Sequence, residues 1–302
     1  MRLLLLFLLL PSLLSAQTYS NLKYGPHERN TFDIYLPQSA TPTPLVIYIH
    51  GGGFVMGDKQ DAAKWRQKDI DFFLSKGIAF ASINYRYYKN DDRIGVGNCL
   101  DDVQHAIQYI RHQSRKFNLD KTRVVCYGHS AGAGSSMYLA FHDDFAIPGD
   151  TSYLGESTRI LAVGALETQA TYDLFRWLDI VPGLKMVARL QKKFIYNSLA
   201  NFYGYPDFAS FEPLSQSVPA KYDLLDMISP DDPPVYLMNL QKERIPLSMG
   251  LIQHHRTHAL VLKETLDNHH IENVCYVYSR SLKKAADAPL SIRDFLLTKL
   301  TR

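Results

Sequence analysis

Apolar positions fall into two kinds of run along the chain. Residues 45–50 read LVIYIH without a polar break, the pattern of a strand covered on both faces, whereas residues 31–36 alternate and read as an antiparallel strand. Between such runs the spacing becomes helical. Ile70, Phe73 and Leu74 share one face, and Val103, Ala106, Ile107 and Ile110 form a stripe whose helix is expected to start at Asp101 or Asp102. Further strands are expected at 78–85, 123–127, 160–164, 235–240 and 274–278, and further helices at 130–141 and 290–300. This alternation predicts an α/β fold with a central, mostly parallel sheet and helices on both faces.

One stretch, about 168–234, breaks the rhythm. Its helical pieces at 174–178 and 186–202 are interrupted by Gly and Pro and are rich in aromatics, among them Trp177, Phe194, Tyr196, Phe202, Tyr203, Tyr205 and Phe208. It reads as a lid-like insertion over the ligand-binding edge of the sheet, with aromatics suited to an apolar or aromatic ligand portion. The plain alternative is that these rings tie the insertion to the core.

Composition adds limits. With 302 residues and 46% hydrophobic positions the chain can bury a large core, and 33 Lys+Arg against 30 Asp+Glu leaves no bulk charge to drive nucleic-acid binding. Residues 1–16 carry Arg2, an apolar run and the small pair Ser15 and Ala16, the pattern of a cleaved signal peptide that is too short to span a bilayer comfortably. Residues 17–302 then form one domain, secreted or periplasmic, with no stable membrane insertion. Three cysteines cannot all pair; Cys126 and Cys275 lie in strand-like runs and are expected as buried free thiols, with Cys99 left open. Oligomeric state is not legible.

Two motifs carry chemistry. Gly128-His129-Ser130-Ala131-Gly132 falls between an expected strand and an expected helix, the setting in which small neighbours permit a sharp turn that exposes a serine hydroxyl. A helix-capping serine is the plainer reading. Upstream, His50-Gly51-Gly52-Gly53-Phe54 follows the buried strand, and a glycine loop there can aim backbone N–H groups at the same crevice. Gly52 and Gly53, with the N–H of Ala131, form the expected oxyanion hole.

These motifs, with SINYRYY from Ser82, LDDVQHAIQYIR from Leu100 and PPVYLMN from Pro233, resemble the α/β-hydrolase superfamily. The likeness is to secreted carboxylesterases related to hormone-sensitive lipase and to acetylxylan and feruloyl esterase-like proteins. It implies an α/β-hydrolase fold, hydrolysis of a small ester or esterified carbohydrate, no cofactor and no metal, and a structural role for His50. It also implies an acid after the seventh strand, where PPVYLMNLQKERIP puts Glu243; Glu167 offers another carboxylate at the sheet rim.

The base departs from this pattern. The resemblance implies a histidine after the last strand, but no histidine occurs beyond His270. The segment His254-His255-Arg256-Thr257-His258 supplies substitutes, and His255 and His258 are the expected bases. His254 and His258 share a helical face, which is also metal-ligand spacing, although no H-E-x-x-H run is present. His129 is expected to pack beside the elbow, and His269 and His270 to cap a helix end. The competing reading is a catalytically impaired homologue that binds a ligand or a protein.

Overall fold

The computed structural model describes residues 17–88, 95–242 and 245–301; residues 1–16, expected from the sequence as a signal peptide, and Glu243 lie outside the described residues. Eight strands form one sheet: β1 (Gln17–Lys23), β2 (Thr31–Leu36), β3 (Thr43–Ile49), β4 (Ala79–Ile83), β5 (Leu119–His129), β6 (Val163–Leu166), β7 (Val235–Asn239) and β8 (Asn273–Val277). Their order is β1-β2-β4-β3-β5-β6-β7-β8. β1 and β2 pair antiparallel, β2 meets β4 antiparallel, and all later neighbours are parallel. Every residue of β3, β4, β6 and β7 is buried, as unbroken apolar runs require of strands covered on both faces.

Alternate residues of β3 feed two cores. Leu45, Ile47 and Ile49 face the helices Val96–His112 and Ala131–Phe141, while Val46 and Tyr48 face Gln67–Ser75 and Ile292–Leu300. Between β6 and β7 the chain makes a series of short helices, including Trp177–Ile180, Leu184–Leu190 and Lys192–Phe202. Aromatic contacts join this helical insertion to the body, with Phe54 edge-on to both Tyr172 and Phe202, and Tyr203 stacks on Phe211 within it.

The structure departs from the expected pattern at two places. The helix expected to start at Asp101 or Asp102 begins at Val96, after Gly95. Asp102 is buried in its middle and accepts from Arg86 N, Nε and Nη2 at 2.8, 2.9 and 2.8 Å, so an aspartate that resembles a cap is an ion-pair partner. β1 escapes the pattern because it is a largely exposed edge strand, held by pairing to β2 with only Tyr19 and Leu22 packed against the core. Cys126 is a buried free thiol as expected, Cys275 is half-buried rather than buried, and Cys99 is buried with its Sγ 4.0 Å from Gly95 O. Among the described residues no helix is long and apolar enough to cross a membrane.

Candidate active site

Ser130 sits between β5 and the helix Ala131–Phe141 with φ 54° and ψ −120°, a conformation that L-residues adopt only under strain. The motif glycines allow this turn. A Cβ on Gly132 would lie 2.0 Å from the Ile49 carbonyl oxygen, and one on Gly128 would lie 2.3 Å from Gly132 C. Ser130 N–H donates to Leu166 O at 2.8 Å, which ties the elbow to the end of β6.

The glycine loop packs directly on this elbow, since a Cβ on Gly51 would meet His129 O at 2.7 Å. His50 donates from Nδ1 to Gly51 O at 2.7 Å, and Gly52 O accepts from Val55 N and Met56 N, both at 3.1 Å. A trans peptide points its N–H opposite to its C=O, so two carbonyls held inside the loop turn the N–H groups of Gly52 and Gly53 away from those contacts. Among the described residues neither N–H, nor that of Ala131, has an intramolecular acceptor. Gly53 and Ala131 line a pocket of about 280 Å³ with Ser130. Phe54, Tyr88, Trp177 and Phe202 supply its apolar wall, and Gln169, Ser198, Asn201 and Gln253 add polar groups.

The imidazole in contact with Ser130 belongs to His254, whose Nε2 lies 2.8 Å from the serine Oγ. His254 ends the short helix Met249–Gln253, which Ser248 caps by accepting from Leu251 N. Burial pulls its pKa below the usual 6.5, which favours the neutral ring that can accept a proton.

The two expected bases lie elsewhere. His258 is fully buried; its Nδ1 accepts from Ala170 N at 3.2 Å and its Nε2 donates to Ile252 O at 3.0 Å, so both nitrogens are occupied in bracing the turn that carries His254. Burial pushes its pKa down to about 3. His255 is also buried, with Nδ1 2.8 Å from Thr257 Oγ1. Gln169 adds a second brace, donating to Gln253 O at 3.0 Å. His129 makes an edge-to-face contact with His254 at 5.9 Å, the packed position expected of it.

Glu167, with φ 51°, accepts from Leu240 N at 2.7 Å and so joins β6 to the end of β7. It lines a separate pocket with His129 and Arg66. Among the described residues no carboxylate is hydrogen-bonded to His254. His254 is not distinguishable in the sequence, because adjacent histidines differ only in where the chain turns. A serine three residues before Leu251 hints at the local cap, but no periodicity separates residue 254 from residue 255.

Residues 32–245 match the BD-FAE family model. The chain belongs to the BD-FAE family. It is thus an α/β-hydrolase-fold member of an esterase family. Among curated proteins, this BD-FAE chain is 24% identical over 222 residues to a probable isoprenylcysteine alpha-carbonyl methylesterase of Oryza sativa subsp. japonica, covering 69% of this chain and 48% of that protein. It is 35% identical over 112 residues to esterase B1 of Culex pipiens, covering 34% and 20%. The chain therefore spans half or less of the length of these relatives. Among solved structures it is similar to a truncated carbohydrate esterase from gut microbiota, with TM-score 0.64, 17% identity and coverage of 96% and 98%. It is also similar to a bifunctional GH43-CE protein of Bacteroides eggerthii, with TM-score 0.67, 16% identity and coverage of 93% and 38%. These two structures share its fold.

Proposed function

We propose that the protein is a serine hydrolase of carboxylic esters in which His254 is the general base. The observation that carries this reading is the 2.8 Å contact between Ser130 Oγ and His254 Nε2 at the foot of a pocket also lined by Gly53 and Ala131. His254 takes the Ser130 proton as Oγ attacks the ester carbonyl carbon, and the N–H groups of Gly52, Gly53 and Ala131 stabilise the charge on the carbonyl oxygen. The imidazolium then protonates the departing alcohol. Water, deprotonated by the same ring, releases the acid from Ser130.

Glu243 is the proposed acid that orients His254, on the strength of its position in PPVYLMNLQKERIP. The aromatic wall with scattered amides suits acetyl or aromatic acyl groups, feruloyl included, on a carbohydrate alcohol, and the family and the carbohydrate esterases of like fold favour the same class. The leader-like residues 1–16 support export. A closer kinship with hormone-sensitive lipase rests on the sequence resemblance alone, carried by HGGGF, the GHSAG elbow and the PPVYLMN strand.

Turnover of p-nitrophenyl acetate and of a feruloyl ester tests the reading. Ser130→Ala and His254→Ala are each expected to lower kcat by about 10³-fold or more. Undiminished activity in Ser130→Ala rejects the nucleophile. Absence of activity in the wild-type protein on both esters favours the binding-module reading instead.

A further inference from the structure

The glycine loop is held from outside by a residue that belongs to neither motif. Arg29 precedes β2, in the turn after β1, and its side chain is mostly buried. Its Nε donates to Tyr85 O at 2.9 Å and its Nη2 to Gly57 O at 3.0 Å; the same Nη2 lies 3.5 Å from His50 Nε2. The guanidinium stacks on Tyr87, 3.8 Å from the ring centroid, and Nη1 lies 3.5 Å from Asp58. One planar fork therefore touches His50 at the start of the loop and Gly57 at its end.

A guanidinium can only donate hydrogen bonds, so His50 Nε2 beside it must be the bare nitrogen and the ring proton must sit on Nδ1. That proton is the one donated to Gly51 O. Tyr85 adds to the same arrangement, stacking on His50 at 4.3 Å and donating to His50 O at 2.9 Å. Burial and the Arg29 charge also hold the His50 pKa down, to about 4, so the ring stays neutral. The Gly51 carbonyl fixes its peptide plane, and that plane aims the Gly52 N–H.

We propose that Arg29 is a positioning residue for the oxyanion hole, acting by enforcing the Nδ1–H tautomer of His50 and by clamping the two ends of the Gly51–Gly57 loop. The effect on rate rests on the ester-hydrolase reading; the tautomer does not.

Long-range ¹⁵N spectra of the imidazoles, with the His50 signals assigned by their loss in His50→Asn, should show the proton on Nδ1 in the wild type. They should also show the Nε2 resonance displaced in Arg29→Met. A wild-type His50 protonated on Nε2 overturns the proposal even if the protein hydrolyses no ester. Kinetically, Arg29→Met should lower kcat about 10- to 100-fold with KM within about twofold, because an oxyanion donor acts mainly in the transition state. In a His50→Asn background, which has no ring nitrogen for Arg29 to fix, the same change should cost clearly less than in the wild type. Equal losses in both backgrounds overturn the proposal, as does a wild-type kcat in Arg29→Met. Should Arg29→Met fail to fold, Arg29→Lys replaces it. Lysine keeps the charge but cannot reach Tyr85, Gly57 and His50 together, so its kcat should fall short of wild type, and an unchanged kcat and His50 spectrum overturn the proposal.

Discussion

The proposed base, His254, is shifted toward its neutral form. Burial lowers its pKa from 6.5, so the neutral form survives into mildly acidic solution, and kcat/KM should lose activity on the acid side with an inflection below 6.5. A pH-rate profile checks this; an acid limb inflecting above 6.5 would contradict the buried base. His258 should behave differently under mutation, because it braces the His254 turn and does not touch Ser130. His258→Asn should lower stability by about 2 kcal/mol in urea titration, as the loss of a buried, doubly bonded ring does, along with activity. The position of Ser130 was legible because its strained turn demands glycines at 128 and 132, which is a local requirement. The proposed proton acceptor was not, because His254, His255 and His258 are equally apt in composition and differ only in what each ring meets after folding.

Single elements bear much of the geometry. The elbow has no room for a side chain at Gly132, whose Cβ would collide with the Ile49 carbonyl oxygen at 2.0 Å, so Gly132→Ala should destabilise by about 3 kcal/mol or more in chemical denaturation. A second element-level dependence is the Lys59–Asp33 pair, 2.8 Å apart with both side chains almost fully buried, which joins the stretch after the glycine loop to β2. Lys59→Met removes the cation beside buried Asp33 and leaves it the Asn21 N–H donor at 2.7 Å, and a loss of about 3 kcal/mol is expected in the same measurement. An unbroken apolar run announced β3, whereas β1 and the first six residues of the helix Val96–His112 were hidden. An edge strand that turns only Tyr19 and Leu22 to the core leaves too sparse a signature, and the aspartate that looked like a helix cap is spent on Arg86.

For the molecule as a whole, several imidazoles are buried in the neutral form. Burial lowers His50 and His129 to about 4 and His258 to about 3, while the unfolded chain takes up these protons near 6.5. The unfolded state therefore binds more protons between these limits, and stability must rise with pH through that window and fall as the solution is acidified. Urea midpoints at about pH 7 and about pH 5 should show a clear drop at the lower value; equal midpoints would mean that these rings are protonated in the native state. The sequence by itself determined the layered α/β architecture, the serine turn and the glycine loop, because burial on two faces and backbone strain leave marks on contiguous residues. Only the tertiary structure decided that His254 reaches Ser130, that His258 supports it and that Arg29 grips the glycine loop. Those contacts join segments far apart in the chain, and an isolated arginine or histidine carries no local sign of what it will meet.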